Sequence, residues 1–472
     1  MDFSGNWKLP FLITTCYFCI LPFTIYNMHW NQLLSAKRLG LESRGYMPGN
    51  EDRSQYQRDY DRIIFSAAFR RMQNKTQVFP LPGRVFVHNR LTHTLEVASV
   101  GRSMGNRLAE ILFSKKEISD PVWLNSIGSV VSAASLAHDM GNPPFGHSGE
   151  SAISNYFLHE KGAGLKQEMT EAQWKDFTHF DGNANAFRLL VHEFYGKRTG
   201  GFALTYTTLA SMVKYPFESL AATKPKFGFF QSEKDTWLRF SEELGIPVVS
   251  QYPLKYHRHP LVYLVEAADD ICYQVMDVED AFRLGILSYE ETLSLFMEFH
   301  ADSGDEIHEY IAQTMRKVTD SNEQISYLRA GVIGKLTNAC FDVFAGNYEQ
   351  IMEGTFTGTL LKNSSPSVLN AMKKVQEVSV SKIYNHRTVV EIEIAGYKII
   401  GTLMEELCGA IMNPGSPLSE KILMLLPSQY RLSDDTTYSK VQSVVDFISG
   451  MTDVYALDLY RKIKGISLPE IV

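Results

Sequence analysis

The sequence has few cysteines and no internal repeat, low-complexity tract or long run of like charge. Five cysteines in 472 residues are too few for a disulfide framework, and the absence of repeats excludes a solenoid. The 46 basic and 53 acidic residues give a net charge of −7, so no global basic field attracts nucleic acid or anionic lipid. With 44% hydrophobic and 21% charged residues, the composition is typical of a globular protein and excludes a disordered chain or a polytopic membrane protein.

One long apolar run stands at the amino terminus. Residues Leu9–Tyr26 carry no charge and number 18, the lower limit for a membrane span, where ~20 residues are usual. A signal peptide is a second interpretation, but no small-x-small cleavage site follows. A third interpretation is that residues 1–27 are upstream sequence and that the protein begins at Met28.

Helical periodicity dominates the rest of the chain. The spacing of apolar residues predicts four helices, over residues 59–72, 90–113, 127–137 and 261–284. Strand signals are sparse: residues 389–400 alternate and fit either a hairpin or the start of a helix. Residues 161–179 and 220–233 have the composition of surface loops. We predict a mainly α-helical protein with at most one small β-hairpin.

Candidate chemistry begins where the predicted helix 127–137 ends, in the segment SLAHDMGNPPFGHSGE. His138 and Asp139 require partners, because an unpaired charge at the end of a buried helix is unfavourable. A helix C-cap is the structural alternative for this histidine. However, the Asn-Pro-Pro that follows forbids further helix, and His147 then arrives on a new segment. A helix starting there places Glu150 one turn from His147, so that both can face one cavity.

Two other predicted helices supply matching side chains. His93 lies early in the second helix, and Asp269, Tyr273 and Asp277 recur at i, i+4 and i+8 in the fourth. A solvated face is the alternative, but a tyrosine between two carboxylates inside apolar runs better fits the wall of a pocket. Two histidines and two carboxylates suit one divalent metal ion with open positions, and do not select among Mn²⁺, Fe²⁺, Mg²⁺ and Zn²⁺.

The order His…His-Asp…Asp resembles the HD superfamily of metal-dependent phosphohydrolases. Seven segments, in family order, resemble signatures of the deoxyguanosinetriphosphate triphosphohydrolase family: RDYDRIIFSAAFRRMQNKTQVF, NRLTHTLEV, AHDMGNPPFGHSGE, DGNANAFRLL, MVKYP, EAADDICY and FISGMTDVYAL. Chance matches to the bare His-Asp dyad are common, whereas matches to all seven segments are not. The departures are Asp181, where a longer Glu is expected, and Val454, at a position that is often basic.

The resemblance implies hydrolysis of dGTP, or of several dNTPs, to deoxynucleoside and inorganic triphosphate by water attack at the α-phosphorus. It implies one divalent ion per site, Mn²⁺ or Mg²⁺ first, with Fe²⁺, Co²⁺ and Zn²⁺ as alternatives. By resemblance the metal ligands are His93, His138, Asp139 and Asp269, with Asp270 as the alternative to Asp269. The catalytic pair is His147 and Glu150. The substrate-binding residues are Gln77, Arg90, Lys214, Tyr215, Tyr273 and Asp277.

The resemblance also predicts the organisation of the chain. We expect an HD-domain helical bundle at residues 28–285 as the catalytic core and additional helices at 286–472 that complete the fold and the substrate pocket. Because the family-like sequence starts after Met28, we favour an over-extended start for residues 1–27. We expect a cytoplasmic homo-oligomer, a tetramer or hexamer, without a membrane partner.

Two other functions stay open. One is another HD phosphohydrolase, such as a nucleotidase or an alarmone hydrolase, which needs the same metal ligands but does not need to distinguish deoxyribose from ribose. Because some family members respond to single-stranded DNA or to a dNTP effector, a nucleic-acid-responsive regulatory protein is the other alternative. Its candidate contacts are the basic-aromatic segments at residues 224–230 and 255–260. We favour surface loops for both segments.

Overall fold

The computed structural model describes residues 27–43, 53–79, 87–430 and 434–468, and helices dominate these ranges. The apolar run Leu9–Tyr26 lies outside the described residues. No helix within the described ranges combines the length and apolar character that a membrane crossing requires. The prediction of a mainly α-helical protein is confirmed.

Ten helices and a hairpin form the first part of the described chain. The helices are α1 (Trp30–Leu33), α2 (Gln55–Ile64), α3 (Ala67–Arg71), α4 (Arg90–Ser114), α5 (Trp123–Ala137), α6 (His147–His159), α7 (Glu171–Thr178), α8 (Gly182–Val191), α9 (Tyr206–Met212) and α10 (Lys234–Glu243). The hairpin pairs β1 (Val248–Gln251) with β2 (Leu254–Tyr256) in antiparallel register. It is the sole sheet among the described residues.

The second part of the described chain is again helical. Its helices are α11 (Pro260–Arg283), α12 (Tyr289–Glu298), α13 (Asp305–Lys317), α14 (Ser321–Gly346), α15 (Tyr348–Met352), α16 (Pro366–Val378), α17 (Arg387–Met412), α18 (Pro417–Leu423), α19 (Thr437–Ser449) and α20 (Asp453–Ile463). A π-helical turn, Ser379–Tyr384, joins α16 to the segment before α17.

Several predicted elements differ from those observed. The helix predicted over 59–72 is interrupted at Phe65, because the Ser66 side chain accepts a hydrogen bond from the Phe69 N–H and starts α3 as a new helix. Residues 389–400 are helical and belong to α17, so the hairpin alternative for them was wrong. The loop predicted over 161–179 contains α7, which a capping box between Thr170 and Gln173 begins.

Helices α4, α5 and α11 pack together and position the candidate site. Small residues allow the close approach of α4 and α5: a Cβ added to Gly105 would lie 2.9 Å from the Gly128 Cα. Every residue of α5 from Ser126 to Ala137 is buried, as its lack of a polar side predicts. The carboxyl end of α5, the start of α4 and the middle of α11 therefore meet inside the protein.

Two hydrophobic clusters fill the interior. The larger cluster draws on buried residues from Met28 to Val389 and surrounds α4, α5 and α11. The smaller cluster joins α6, α7 and the aromatic residues near 227–230 to α17, α19 and α20. The smaller cluster therefore places side chains of α17, α19 and α20 in one core with those of α6, the helix that His147 begins, and α17 contacts α6 directly.

Candidate active site and metal centre

Two histidines face each other where α4, α5 and α11 meet. His93, on the first turn of α4, is 2% exposed, and its Nε2 lies 3.1 Å from Oδ1 of Asp269 on α11. His138 follows α5, and its Nε2 lies 3.5 Å from the same oxygen. The Nδ1–H of His138 donates to the Ser135 carbonyl at 2.6 Å. Since a carbonyl only accepts, this bond fixes the ring so that Nε2 is directed at the cluster.

Asp139 completes this cluster and is held from two sides. Its Oδ2 accepts from Nη1 of Arg90 at 2.7 Å, and its Oδ1 accepts from Nδ2 of Asn142 at 2.5 Å. Burial raises the pKa of the Asp139 carboxyl, but Arg90 and the neighbouring histidines outweigh it and hold that pKa below its usual value. Asp139 is therefore an anion at neutral pH.

The donor atoms fit a divalent cation. Ligand atoms of His93, His138 and Asp139 all lie within 4.8 Å of one another. Two ligands at right angles, each about 2.1 Å from a metal, are separated by about 3 Å, close to the spacings between Asp269 and the two histidines. Burial raises the pKa of Asp269 but the two histidines lower it further, so the net pKa lies well below its usual value. These two nitrogens and two anionic oxygens can hold one divalent ion.

His147 and Glu150 form a pair at the start of α6. Nδ1 of His147 lies 2.7 Å from Oε2 of Glu150, and the histidine side chain is 79% exposed. Glu150 is buried, and its Oε1 accepts from the Gly182 N–H at 2.7 Å. Burial raises the pKa of Glu150, but the bond from His147 and the charge of Lys226 outweigh it, so the net pKa is lowered. An anionic Glu150 orients the imidazole and leaves Nε2 to exchange a proton.

One cavity of about 480 Å³ brings most of the predicted site together. This volume is within the roughly 300–1,000 Å³ of small-molecule sites. The predicted residues that line it are Gln77, Arg90, His138, Asp139, His147, Glu150, Lys214, Tyr215, Asp269 and Tyr273. The other two predicted residues do not line the cavity but contact residues that do: His93 contacts Asp269, and Asp277 contacts Tyr384.

Lys214 and Tyr215 line the same cavity. Nζ of Lys214 lies 3.2 Å from Oε1 of Glu266, whose other oxygen is 3.0 Å from Nη1 of Arg258. Burial lowers the pKa of Lys214, but Glu266 and other nearby acids outweigh it and raise the net pKa. The Lys214 ammonium is therefore charged at neutral pH.

Tyr273 forms an aromatic wall with a residue that the sequence analysis missed. Its ring stacks on that of Tyr384, with centroids 6.2 Å apart and planes inclined by 27°. The Tyr384 hydroxyl donates to Oδ2 of Asp277 at 2.8 Å. Burial raises the pKa of Asp277 to about 8, against a smaller opposing effect of the Tyr384 bond. Tyr384 lies in a π-helical turn far along the chain, and its segment carries no recognisable signal in the sequence.

Lys226 is a second residue that the sequence analysis did not place in the site. Its Nζ donates to Oδ1 of Asp181 at 3.0 Å and lies 3.8 Å from Oε2 of Glu150. The basic-aromatic segment 224–230 was the available signal, but the surface-loop interpretation was wrong, because Phe227, Phe229 and Phe230 are fully buried. It was also wrong for residues 255–260, whose Tyr256 and His259 are buried.

A second and larger cavity, of about 580 Å³, contains none of the predicted site residues. Its lining is rich in basic side chains from α2, α3 and the loop after α8, among them Arg62, Arg71 and Arg198. Lys75 lies between the two cavities, and its Nζ donates to the carbonyls of Asn142 and Ser449 at 2.6 and 2.7 Å. Burial lowers the pKa of Lys75 to about 7.

The helical fold and this arrangement of histidines and carboxylates are those expected of an HD-type phosphohydrolase. Residues 363–462 match the family described as "Phosphohydrolase-associated domain". The chain is 38% identical over 459 residues to a deoxyguanosinetriphosphate triphosphohydrolase-like protein of Pseudomonas aeruginosa, with 94% of this chain and 100% of the relative covered. A Synechocystis protein of the same name is 35% identical, with 93% of this chain and 100% of that protein covered.

A relative whose name lacks the suffix "-like" also matches. The deoxyguanosinetriphosphate triphosphohydrolase of Yersinia enterocolitica is 30% identical over 493 residues, covering 86% of this chain and 93% of the relative. The chain therefore belongs to the deoxyguanosinetriphosphate triphosphohydrolase family, and the resemblance found in the sequence is confirmed. The family implies a hydrolase that acts on a nucleotide and uses a divalent metal ion.

Proposed function

We propose that the protein hydrolyses dGTP to deoxyguanosine and inorganic triphosphate, by water attack at the α-phosphorus. The observation that supports this most directly is the joint presence, around one cavity, of the His93–His138–Asp139 cluster and the His147–Glu150 pair. The first is a metal-ligand set, and the second is a proton-transfer pair. Both functions accelerate the hydrolysis of a phosphate ester or anhydride at neutral pH.

The proposed metal ligands are His93, His138, Asp139 and Asp269. A divalent cation supplies Lewis-acid polarisation of a phosphoryl oxygen when it is bound. Among the ligands, His138 is fixed in orientation by the Ser135 carbonyl, and Asp139 is fixed by Arg90. This second layer of hydrogen bonds keeps the ligands oriented before the ion binds.

Proton transfer is assigned to His147. Its Nδ1–H is held by the Glu150 carboxylate, so Nε2 can take a proton from the attacking water or give one to the departing 5′-oxygen. Glu150 is itself fixed by the Gly182 N–H and stabilises the imidazolium that forms. The His147 side chain is 79% exposed, whereas His93 and Asp139 are buried, and this difference supports separate roles for the two sets.

We assign the triphosphate to the part of the cavity that carries Arg90 and Lys214, and the sugar to the wall formed by Tyr273 and Tyr384. Arg90 and Lys214 offer charges to the phosphates, and Arg90 has a buried Nε with no hydrogen-bond partner among the described residues. Gln77 likewise has a buried Oε1 without a partner in the described part of the chain. Because a buried polar atom without a partner is unfavourable, we expect a hydroxyl or amide group of the substrate to form the missing hydrogen bond with the Gln77 oxygen. The stacked rings of Tyr273 and Tyr384 would then lie against the deoxyribose and restrict space at C2′.

The test is a substrate panel with product identification. The purified protein is incubated with each of the four dNTPs and with GTP, in Mn²⁺ and in Mg²⁺, and nucleoside, monophosphate and diphosphate are separated by liquid chromatography. We expect deoxyguanosine and triphosphate from dGTP, with GTP much slower. Release of dGMP and pyrophosphate would favour another HD phosphohydrolase. Equal rates for dGTP and GTP would contradict the assignment of Tyr273 and Tyr384 to deoxyribose selection.

The proposal also includes the homo-oligomer, the dNTP effector and the single-stranded DNA partner that the sequence analysis predicted. The buried aromatic rings of residues 224–230 and 255–260 leave no platform there on which bases can stack. The basic lining of the 580 Å³ cavity provides cationic groups for an anionic effector instead. A salt-dependent gel shift with single-stranded DNA tests the first partner. Activation of dGTP hydrolysis by a second dNTP tests the effector.

A further inference from the structure

A buried carboxylate at the start of α20 connects two segments of the candidate site. Asp453 is 6% exposed. Its Oδ1 accepts from the Phe145 N–H at 3.0 Å, and its Oδ2 accepts from the N–H and the hydroxyl of Thr76 at 2.8 and 2.6 Å. One side chain thus receives three hydrogen bonds from segments that are far apart in the sequence.

The first of these segments is the turn that carries His147. Phe145 has φ of +61° and Gly146 has φ of +57°. The left-handed region is uncommon for a bulky residue and persists where surrounding contacts determine it. Two contacts do so here: the bond from the Phe145 N–H to Asp453, and the close approach of the Phe145 ring to Gly396 of α17. A Cβ added to Gly396 would lie 2.4 Å from the Phe145 Cβ. His147 follows directly as the first residue of α6.

The second segment leads to the start of α4. Thr76 pairs with Asn89 in an antiparallel bridge, and Asn89 caps α4. The carbonyl of Lys75 accepts from the Arg90 N–H at 3.3 Å. Gln77, with its unpaired buried oxygen, comes next in the chain. Asp453 therefore fixes the backbone from which Arg90 and Gln77 extend into the cavity.

Lys75 reinforces the same junction. Its ammonium donates to the Asn142 carbonyl, which precedes the Phe145 turn, and to the Ser449 carbonyl at the end of α19. The end of α19 and the start of α20 consequently hold both segments at once. Neither Asp453 nor Lys75 lines the metal-ligand cluster, so their influence on the reaction is through the backbone that they hold.

We propose that Asp453 is a positioning residue for hydrolysis, which sets the orientation of His147 relative to Arg90 and the metal-ligand cluster. The helices of the carboxyl-terminal region thereby determine the geometry of proton transfer at a site whose ligands come from α4, α5 and α11. The proposal rests on the proposed function for its kinetic effect, but its structural part, the hold on the His147 turn, is independent of the substrate.

The substitution Asp453→Asn tests this role. Phe145 and Thr76 donate to different oxygens of Asp453. An asparagine keeps the size of the side chain but replaces one of these oxygens with an NH₂ group, which then faces an N–H donor. We expect kcat for dGTP to fall about 10–100-fold, because displacement of a reacting group by about 1 Å costs up to about 10²-fold. We expect KM to rise by a smaller factor than kcat falls, because the phosphate-binding side chains are retained although the backbone beside Gln77 loses a hydrogen bond.

The matched control is Asp176→Asn. Asp176 is also fully buried and accepts three hydrogen bonds, from the Ser219 hydroxyl, the Gln231 N–H and the Tyr438 hydroxyl. It belongs to α7 and lies outside the cavity lining. We expect this variant to lose thermal stability to a similar degree while it keeps kcat within about twofold. A loss of kcat as large as that of Asp453→Asn would assign both effects to general destabilisation and overturn the proposal.

Amide hydrogen exchange measures the structural part directly. In Asp453→Asn we expect faster exchange of the Phe145 amide, seen in peptides covering residues 143–149, and in Asp176→Asn we expect exchange there as in the wild type. Unchanged exchange, or a wild-type kcat, in Asp453→Asn overturns the proposal. Should that variant fail to fold, Asp453→Glu keeps the charge but displaces the carboxylate by one methylene, and the same two outcomes decide. If the wild type does not hydrolyse dGTP, the proposed function fails, while hydrogen exchange still tests the hold on the turn.

Discussion

Replacement of His147 by alanine should separate proton transfer from metal binding. The side chain is 79% exposed, and within the described ranges its one hydrogen bond is with Glu150. Exposed substitutions of this kind change the free energy of unfolding by about 0.5 kcal/mol or less, so we expect a shift in Tm of about 2 °C or less. Loss of a general acid or base lowers the rate about 10²–10⁴-fold, which corresponds to about 2.7–5.4 kcal/mol in activation free energy at 1.36 kcal/mol per tenfold.

The assay combines kinetics with metal analysis. We expect His147→Ala to retain the metal content of the wild type, measured by elemental analysis after dialysis, and to bind dGTP with little change. His93→Ala provides the contrast, because His93 is buried 3.1 Å from Asp269, and we expect it to lose the metal. Loss of the metal in His147→Ala, or a kcat within tenfold of the wild type, would refute the assignment of His147 to proton transfer.

Three further predictions concern stability and ligand binding. Arg188→Met should destabilise the protein by about 3–5 kcal/mol in urea denaturation, because it removes the guanidinium that pairs with the buried carboxylates of Asp446 and Glu233; a loss below about 1 kcal/mol would contradict this. The pKa of Asp277 is raised to about 8 in the folded protein, against about 3.9 in the unfolded chain. Between these two values the folded state binds a proton that the unfolded state has lost, so the free energy of unfolding falls as the pH rises from one value to the other. Asp277→Asn, which keeps an acceptor for Tyr384, should weaken that dependence, and identical pH profiles of Tm would contradict it. Removal of divalent ions with a chelator should abolish dGTP binding to His147→Ala in calorimetry, and Mn²⁺ should restore it; unchanged affinity would show that the metal is not needed for binding.

The helices that carry the metal-ligand cluster were predictable because their signals are local. In α5 a run of small and apolar residues ends abruptly at His138, and in α11 the polar positions recur at helical spacing within an apolar sequence. The break at Phe65 was harder to predict, because the apolar period continues through it. The signal for the break is a single hydrogen bond, which the Ser66 side chain accepts at the start of α3.

The parts of the site that the sequence did not predict depend on long-range packing. Tyr384 reaches the cavity because a π-helical turn stacks it on Tyr273, which is 111 positions away by the numbering of the two residues. Lys226 enters the site because the phenylalanines beside it are buried and direct the segment inward. Neither arrangement has a periodicity or spacing that a single sequence displays. Asp181 stands where the family resemblance leads us to expect a glutamate. The shorter carboxylate still caps α8 and accepts a hydrogen bond from Lys226.

The charges around the cavity explain why an acidic site can serve an anionic substrate. Three basic side chains line it, Arg90, Lys214 and Lys226, together with six acidic ones, Asp139, Glu150, Glu266, Asp269, Asp270 and Glu393, within the described part of the chain. Each basic group is already paired with one of the internal carboxylates or with Asp181. A triphosphate alone would therefore meet a net negative surface. We infer that nucleotide and divalent cation bind as linked partners, because the cation offsets the carboxylates and leaves Arg90 and Lys214 to contact phosphate oxygens.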